Sequence, residues 1–449
     1  MRQVIFWKKF VFICLCSRLS VSLNKKKAIH MNIQEIKLQN FRCFQDIAVE
    51  FHKSLNIIVG INGTGKTALL EALRIAIGSL FIGVDKYKDK IASPSITLDD
   101  VRLKDLEQQY PVIITASGEI SEFDSSSNLF QNLTWERSLE TKGGKTKYIN
   151  AKEMIEASKV MQQRIRETDT QTTIPLIAYY STDRFKKEKK DVGVEPDGSR
   201  LRGYYNALDP LTNVKFFLDL WFTETLSDLQ NDTQSPMLAA VAEAVKSCIN
   251  DCEDVRFDIK KGELIMTQKG THEKLPFHVL SDGVRSMLAM VMEIAFRCYL
   301  LNPHLREKAA KKTSGVILID EIDLHLHPEW QKRVVNDLHR TFPCMQFIVS
   351  THAPLVIGSL KEGKIFSVQD ARVFDFPLQY GRDANAILNE MGTSEMTGNI
   401  KSELQEYFIL IEKGEGKSER ALNLRHSLEQ KLGPDHTEMQ RADLMLSFF

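Results

Sequence analysis

The chain begins a regular pattern at Met31, where apolar and polar residues alternate through the stretch MNIQEIKLQNF. Alternation with a period of two predicts a β-strand with one buried face. The run Leu55–Val59 is short and mostly apolar, as expected of a strand buried on both faces of a sheet. Beyond it, apolar residues recur with helical spacing at Leu69, Leu70, Leu73 and Ile77. The sequence therefore predicts a strand, a loop and a helix near the start of the fold.

Further elements follow the same two periodicities. Apolar runs at residues 316–319 and 347–349 predict buried strands, and a helix after LSDG has its apolar face at Met287, Met290, Val291, Ile294 and Ala295. YPVIITASGEI and LTWERSLETKGGKTKYIN predict added antiparallel strands, whereas NAKEMIEASKVMQQRIRE and LTNVKFFLDLWFTETLSDLQ predict helices of an inserted lid. No sustained heptads separate the first helix from LSDG, which argues against a long coiled coil.

Composition adds one constraint on partners. The 449 residues are 43% hydrophobic and 26% charged, with a formal net charge of +0. Seven of the 59 basic residues lie in residues 1–30, which have no acidic residue, so 52 basic residues face 59 acidic ones in the rest. Such a remainder can bind nucleic acid only through a local basic patch. The best candidate is the loop with Lys186, Lys187, Lys189 and Lys190, although such runs are usually solvated loops.

Residues 1–30 have the basic start and apolar middle of a crude signal peptide. Arg18 interrupts the apolar run, no small-residue cleavage site follows, and the run is too short to span a bilayer. We therefore favour an extension from an upstream start codon over a targeting segment. The seven cysteines form no Cys-x-x-Cys pair, which fits a reducing compartment, and we expect a cytoplasmic protein with no membrane partner.

The loop between the first buried strand and its helix carries the sequence GINGTGKT, residues 60–67, which matches GxxxxGK[ST]. In this pattern the glycines let backbone N–H groups close around phosphate oxygens. Lys66 would reach the terminal phosphates, and the Thr67 hydroxyl could bind Mg²⁺. An unrelated glycine turn is the alternative, but the flanking strand and helix favour the phosphate loop.

The stretch VILIDEIDLHLHPEW holds three carboxylates, Asp320, Glu321 and Asp323, and two histidines. In phosphoryl chemistry, an aspartate at a strand end holds Mg²⁺ and the next carboxylate activates the attacking water. His325 and His327 could instead bind zinc, since residues two apart share a face of an extended chain. Pro328 resembles the start of the next helix, and no further His/Cys cluster lies nearby, so Mg²⁺ is the prediction.

The start of one predicted helix and the end of one predicted strand hold further candidate residues for phosphate contact. Ser281 and Gly283 open the helix after residue 281 and could contact an anion, but on the residues alone plain N-capping by Ser281 or Asp282 is the favoured interpretation. His352 follows the strand MQFIVST. A histidine there is usually structural, but at the carboxyl edge of a nucleotide-binding sheet it can sense a terminal phosphate.

The ordered motifs GINGTGKT, LSDG, VILIDE, IDLHLHP and STHAP, with the opening IKLQNFRCFQDIAVEF, resemble the ABC-type ATPase heads of the SMC and RecF superfamily over most of residues 31–370. SITLDDVRL, IPLIAYYSTDRF and YGRDANAIL resemble more narrowly the stand-alone AAA-type ATPases that include PtuA of Septu and some retron anti-phage systems. The resemblance implies an α/β P-loop NTPase fold with a mixed core sheet, added antiparallel strands, a helical lid and a helical C-terminal tail.

The resemblance also implies a role for each candidate residue. Such heads dimerise head to tail around two ATP molecules with Mg²⁺. The nucleotide would be bound by Gly60, Asn62, Gly63, Gly65, Lys66 and Thr67, with Arg42 close to it. Asp320 and Thr67 would hold Mg²⁺, Glu321 would be the general base, and His352 would contact the γ-phosphate. Ser281 and Gly283 would complete the partner's site in trans, and Asp323 would couple the two sites.

The sequence departs from the superfamily pattern in two places. The usual LSGG signature is LSDG here, so Asp282 stands where an added negative charge would approach phosphate. The glutamine loop has no clear counterpart, and residues 180–184 are the nearest candidate. The resemblance thus leaves the strength of trans closure open.

These features predict five parts: an extension at 1–30, a first ATPase lobe at 31–185, an inserted lid at 186–254, a second lobe at 255–376 and a helical tail at 377–449. The tail lacks the DxD of a TOPRIM nuclease, and the chain has no HNH-like histidine cluster. We expect an ATP-hydrolysing switch that forms a homodimer or higher oligomer on ATP and controls a nuclease or other effector subunit, with nucleic acid as a further partner. The alternatives are a RecF-like DNA repair ATPase and an ATP-sensing scaffold.

Overall fold

The computed structural model describes residues 29–85, 91–122, 133–166, 171–185, 199–211, 214–391, 400–434 and 436–446. Residues 1–28 of the predicted extension and the lysines at 186–190 lie outside these ranges. The first strand begins at Ile29, two residues before Met31.

The strands, in chain order, are β1 Ile29–Phe41, β2 Phe44–Glu50, β3 Leu55–Val59, β4 Leu103–Lys104, β5 Glu107–Gln108, β6 Val112–Glu122, β7 Leu133–Leu139, β8 Leu176–Tyr180, β9 Cys252–Asp258, β10 Glu263–Gln268, β11 Lys274–Pro276, β12 Gly315–Ile319, β13 Met345–Thr351, β14 Lys364–Gln369 and β15 Arg372–Phe376. The α-helices are α1 Lys66–Ile77, α2 Lys152–Arg166, α3 Val214–Asn231, α4 Pro236–Cys248, α5 Asp282–Leu301, α6 Ala309–Lys312, α7 Pro328–Gln331, α8 Val334–Thr341, α9 Pro354–Ile357, α10 Ala384–Glu390, α11 Ile400–Glu412, α12 Glu419–Leu432 and α13 Thr437–Leu446. Short 3₁₀ turns include Thr182–Phe185, after β8, and Phe277–Val279, before α5.

The central sheet has six strands in the order β15-β14-β3-β13-β12-β8. All neighbours are parallel except β14 and β15, which are antiparallel. The strands β3, β12 and β13 are buried along their whole length, as their apolar runs predicted, and so is β8. Because parallel strands share one carboxyl edge, the residues after β3, β12 and β13 meet there.

A second sheet of four antiparallel strands has the order β2-β1-β6-β7, and α1 packs against both sheets. The indole of Trp135 in β7 donates a hydrogen bond to Ala76 O at the end of α1, over 2.9 Å. The amide side chain of Gln346 in β13 accepts from Ile33 N and donates to Ile33 O in β1, each over 2.8 Å. These contacts fix the phosphate-loop helix between the two sheets.

The α5 helix is the longest helix of the described residues, with 20 residues, and it is buried along most of its length. It packs against α4, and α4 packs in turn against α8 and β9. A three-stranded antiparallel sheet, β11-β10-β9, leads into the turn that precedes α5. The sheet order, the added antiparallel strands and the helices confirm the predicted fold class.

The chain divides into two compact units, residues 1–381 and 382–449. The second unit consists of α10 to α13 in its described residues, which confirms a helical tail. Its own core is formed by Leu404, Tyr407, Ile411, Ala421, Leu428, Met439 and Ala442. The predicted subdivision of the first unit at residues 185 and 254 stays a prediction. Within the part of the chain that the structure describes, no helix is both long and apolar enough to cross a membrane.

Candidate functional site

The phosphate loop lies between β3 and α1 and closes around its own lysine. Lys66 is buried, and its ammonium donates hydrogen bonds to Gly60 O over 2.9 Å and Ile61 O over 3.0 Å. Gly65 has a φ of 117°, and a Cβ at this position would lie 2.6 Å from Cys43 Sγ, so only glycine fits. Burial lowers the pKa of Lys66, while the nearby carboxylates of Asp320, Glu321 and Asp323 raise it. The contacts of Lys66 and the conformation of Gly65 together fix the path of the loop.

Asp320 follows β12 and is 1% exposed. Thr67 Oγ1 donates a hydrogen bond to one carboxylate oxygen of Asp320 over 2.8 Å, and Ser350 Oγ donates to the other over 2.5 Å. A hydroxyl and a carboxylate side by side are the hard oxygen ligands that Mg²⁺ prefers, so this pair fits the ion. The pair joins the start of α1 to the end of β12.

Glu321 lies at the same edge with a φ of 47°, in the left-handed region that few residues other than glycine adopt. Its amide donates to Ser350 Oγ over 2.8 Å. Glu321 Oε1 lies 3.7 Å from His352 Nε2, and His352 Nδ1 lies 3.1 Å from Gly60 O. A carbonyl oxygen can only accept, so Nδ1 carries the proton and donates it. His352 thus stands between the phosphate loop and Glu321.

Asp323 belongs to the loop between β12 and α7, and this loop also packs against the start of α5. Its carboxylate accepts a hydrogen bond from Thr351 Oγ1, over 2.5 Å, at the end of β13. Two residues further along the chain, the carbonyl oxygen of His325 packs against Gly283. A Cβ on Gly283 would be 2.4 Å from that oxygen, so a larger residue does not fit there. The predicted coupling residue and the predicted signature glycine are therefore linked through residues 323–326 of one chain.

Ser281 occupies the N-cap position of α5, but its side chain makes no capping hydrogen bond. The carboxylate of Asp282 pairs with Arg285 one turn later, over 2.5 Å. Both Ser281 and Asp282 are exposed, whereas Gly283 is buried. Capping by the Ser281 hydroxyl is thus not observed, and the Asp282 charge is partly neutralised within its own helix.

Of the other predicted residues, Arg42 has a partner within the chain and Asn62 lies at the surface. The Arg42 guanidinium pairs with the buried carboxylate of Asp100 over 2.8 Å and 2.9 Å. Asn62 lies exposed near the tip of the phosphate loop. The contact of both with nucleotide stays a prediction. His327 caps α7, since its Nδ1 accepts from Glu329 N over 3.4 Å, so one ring nitrogen is already engaged.

Ser350 was not among the predicted site residues, and no role was predicted for Arg184 within residues 180–184. Ser350 contacts both Asp320 and Glu321, and its place directly before Thr351 and His352 at a strand end was an available signal. In the segment considered for a glutamine loop, the buried Arg184 donates to Asp320 O over 2.6 Å and Glu321 O over 2.8 Å. Arg184 lies in the stretch IPLIAYYSTDRF, which supported the resemblance but indicated no role for the arginine.

Comparison with known proteins agrees with the site. An AAA domain family model matches residues 35–253. A second AAA domain model, whose description refers to the AbiEii toxin and type IV toxin–antitoxin systems, matches residues 175–358. The two models overlap and together include every candidate residue described above. The fold, the phosphate loop and these matches indicate an ATPase, and each of the two models matches less than half of the chain.

The chain is also similar over most of its length to individual ATPases. The chain is 25% identical to the "Retron Vc95 probable ATPase" of Vibrio cholerae serotype O1 biovar El Tor over 454 residues, which cover 86% of this chain and 84% of that protein. It is 26% identical to the "Septu protein PtuA" of Bacillus thuringiensis over 372 residues, covering 78% and 80% respectively. A solved SMC head bound to the C-terminal winged-helix domain of ScpA aligns with a TM-score of 0.46 and 16% identity over 78% of this chain and 98% of that one. The chain is thus similar to the retron and Septu ATPases, as the sequence predicted.

Proposed function

We propose that the protein is an ATP- and Mg²⁺-dependent switch that dimerises around ATP and controls an effector subunit in anti-phage defence. The observation that carries this proposal is the convergence of three strand ends at one sheet edge. The Thr67 hydroxyl contacts Asp320, and His352 lies between Gly60 O and Glu321. Such a cluster supports phosphoryl transfer to water.

Glu321 is the general base in this proposal. The attacking water loses a proton to a Glu321 carboxylate oxygen while its own oxygen bonds to the γ-phosphorus. The bond from that phosphorus to the bridging oxygen breaks, and ADP leaves with the electron pair. Lys66 and the backbone of the phosphate loop orient the terminal phosphates, and His352, beside the loop, would contact the γ-phosphate. Bound Mg²⁺, held by Thr67 and Asp320, would supply charge neutralisation for the phosphates.

The second half of each site comes from a partner copy. Ser281 is exposed and makes no capping bond, so its hydroxyl is available to a nucleotide on another protomer. Gly283 packs on His325 O, while Asp323 accepts from Thr351 beside the chain's own site. A conformational change on hydrolysis in one site can therefore reach the signature segment, residues 281–283, of the same chain. That segment completes the site of the partner protomer. This linkage supports coupled hydrolysis in a head-to-tail dimer.

The defence role follows from the relatives. Two of them are a retron ATPase and a Septu protein, and each aligns with more than three quarters of this chain. We extend to this protein a role in which an ATP-bound dimer holds or releases an effector, such as a nuclease subunit. Nucleic acid is a further partner in this proposal.

Light scattering of the full chain tests the switch. The Glu321→Gln variant keeps the phosphate loop but loses the base, so a composite dimer should accumulate with ATP and Mg²⁺ and remain absent without them. Wild type should show the larger species only briefly. A Lys66→Ala variant, which lacks the phosphate-binding ammonium, provides the control with no ATP-dependent change.

If Glu321→Gln binds ATP and its mass does not change, the trans role of Ser281 and Gly283 is wrong. The charge of Asp282 in the LSDG segment would then be the leading explanation, and Asp282→Gly would test it. If the trapped dimer does form, affinity capture with it from cells that express the neighbouring genes should recover the effector. Capture of the same subunit by the Lys66→Ala variant would contradict ATP control.

A further inference from the structure

Arg184 lies at the end of the 3₁₀ turn Thr182–Phe185, which follows edge strand β8 of the central sheet. Its side chain turns into the protein, and the residue is 6% exposed. One guanidinium nitrogen, Nη1, donates to Ser181 O over 2.8 Å and to Asp320 O over 2.6 Å. The other, Nη2, donates to Glu321 O over 2.8 Å. A single buried side chain therefore holds two consecutive carbonyl groups just after β12.

Those carbonyl groups belong to the two acids at the candidate ATPase site. Glu321 has a φ of 47°, a conformation that persists in folded proteins only where neighbouring contacts hold it. Its amide donates to Ser350 Oγ, and its carbonyl accepts from Arg184, so the residue is tied on both sides. The Glu321 side chain leaves this fixed backbone toward His352.

We propose that Arg184 is a positioning residue for hydrolysis, which holds the backbone of Glu321 so that its carboxylate faces the water-attack side of the nucleotide. This inference rests on the proposed role of Glu321 as the general base. Arg184 contributes no group to the phosphates. Its effect reaches the reaction through the Asp320 and Glu321 peptide groups.

The chemistry of the side chain explains why arginine occupies this position. The guanidinium is a planar fork whose nitrogens can donate in separate directions at once, whereas a lysine ammonium is a single point. Burial lowers the pKa of Arg184 to about 10, so the fork remains protonated and keeps its donors at neutral pH. Lysine at this position would keep a charge but would leave one of the two carbonyl groups without its donor.

Arg184→Lys in the full chain tests this role, with Arg137→Lys as a matched control. Arg137 is also a buried arginine whose pKa burial lowers to about 10, and it bonds to Pro94 O and Ser93 Oγ away from the acids. We expect Arg184→Lys to lower kcat by roughly tenfold to a hundredfold, because misplaced catalytic groups cost about that much. The KM and the Kd for a fluorescent ATP analogue should stay within about twofold, since the phosphate loop is unchanged. Arg137→Lys should keep the wild-type kcat.

A double variant separates positioning from a general structural effect. If Arg184 acts through Glu321, Arg184→Lys should cost little further rate when combined with Glu321→Gln, as measured by single-turnover hydrolysis of labelled ATP. If the rate of the double variant falls by the product of the two single effects, the inference is wrong. A wild-type kcat in Arg184→Lys would also overturn it. If Arg184→Lys does not fold, Arg184→Met fills similar space. If neither Arg184→Lys nor Arg184→Met folds while Arg137→Lys does, Arg184 contributes only to the stability of the fold. That result would overturn the positioning role.

The same experiments keep the two proposals distinct. Wild-type hydrolysis by Glu321→Gln would remove the general-base assignment, whatever Arg184 does. Loss of hydrolysis in Glu321→Gln with full hydrolysis in Arg184→Lys would remove only the role of Arg184.

Discussion

The hydroxyl of Thr67 donates a hydrogen bond to the carboxylate of Asp320 over 2.8 Å, although the two residues are 253 positions apart in the chain. Thr67 begins the helix after the phosphate loop, and Asp320 ends a strand two places away in the central sheet. The fold therefore brings together the two oxygen ligands that the sequence assigned to Mg²⁺. The remaining site residues are arranged around this pair.

Removing the Thr67 hydroxyl should weaken the use of Mg²⁺ more than the binding of ATP. We expect Thr67→Ala to raise the Mg²⁺ concentration for half-maximal hydrolysis by roughly tenfold, because Asp320 alone would hold the ion. A magnesium titration of steady-state ATPase activity measures this change. Thr67→Ser retains the hydroxyl and should behave like wild type. Equal magnesium dependence in the alanine and serine variants would contradict the assignment of Thr67 as a ligand.

Ser350→Ala should reduce hydrolysis and stability together. The Ser350 hydroxyl donates to Asp320 and accepts from the Glu321 amide, and the residue is fully buried. Its loss leaves that amide unpaired, which costs about 1–3 kcal/mol in the free energy of unfolding. Urea denaturation and kcat measure the two effects. Ser367→Ala, at another buried serine of the same sheet, should lower stability without a matching loss of kcat.

Local sequence patterns suffice to predict part of the candidate site. The phosphate loop and the strand-end acids could be predicted because each motif lies in one short stretch with its own strand or helix. The contacts of Ser350 and Arg184 with the two acids could not, because these contacts depend on which strands are neighbours. The placement of β13 between β3 and β12, and of β8 beside β12, is what brings Ser350 and Arg184 to Asp320.

The backbone conformation of Glu321 could not be predicted from the sequence either. Nothing in the stretch IDEID indicates that Glu321 has a positive φ, since glutamate has no preference for that region. The partner of Arg42 was also hidden, because Asp100 lies 58 positions away and reaches it only once β1 has folded. The exposed N-terminus of α5, by contrast, follows directly from the LSDG segment.

The folded protein should lose stability in mild acid partly through His339. Burial lowers the pKa of this histidine below 6.5, and its Nδ1 has no hydrogen-bond partner among the described residues. Because the unfolded chain then binds the proton more tightly, the free energy of unfolding falls as pH drops through about 6.5 toward the lower, folded-state pKa. His339→Gln should show a smaller fall between about pH 7.5 and 5.5 in urea denaturation. An identical fall in His339→Gln and in wild type would contradict the role of His339.

Mixing two inactive variants should restore hydrolysis if the sites are shared between protomers. Ser281→Arg keeps an intact phosphate loop but blocks the partner's site, whereas Lys66→Ala cannot hold the phosphates but offers an intact signature segment. In a head-to-tail heterodimer, the Ser281→Arg protomer receives its signature from the Lys66→Ala protomer, so one site of two is complete. Random pairing of equal amounts would then give roughly a quarter of the wild-type rate.

The measurement is steady-state ATPase activity of each variant alone and of the equal mixture at one total concentration. Two controls fix its meaning. A mixture of Lys66→Ala with Glu321→Gln should stay inactive, because the only loop able to bind nucleotide lacks its base. Ser281→Ala should retain more activity than Ser281→Arg, since it removes one hydroxyl without adding bulk or charge. An inactive mixture of Ser281→Arg and Lys66→Ala, with the heterodimer shown to form, would place the whole site within one chain.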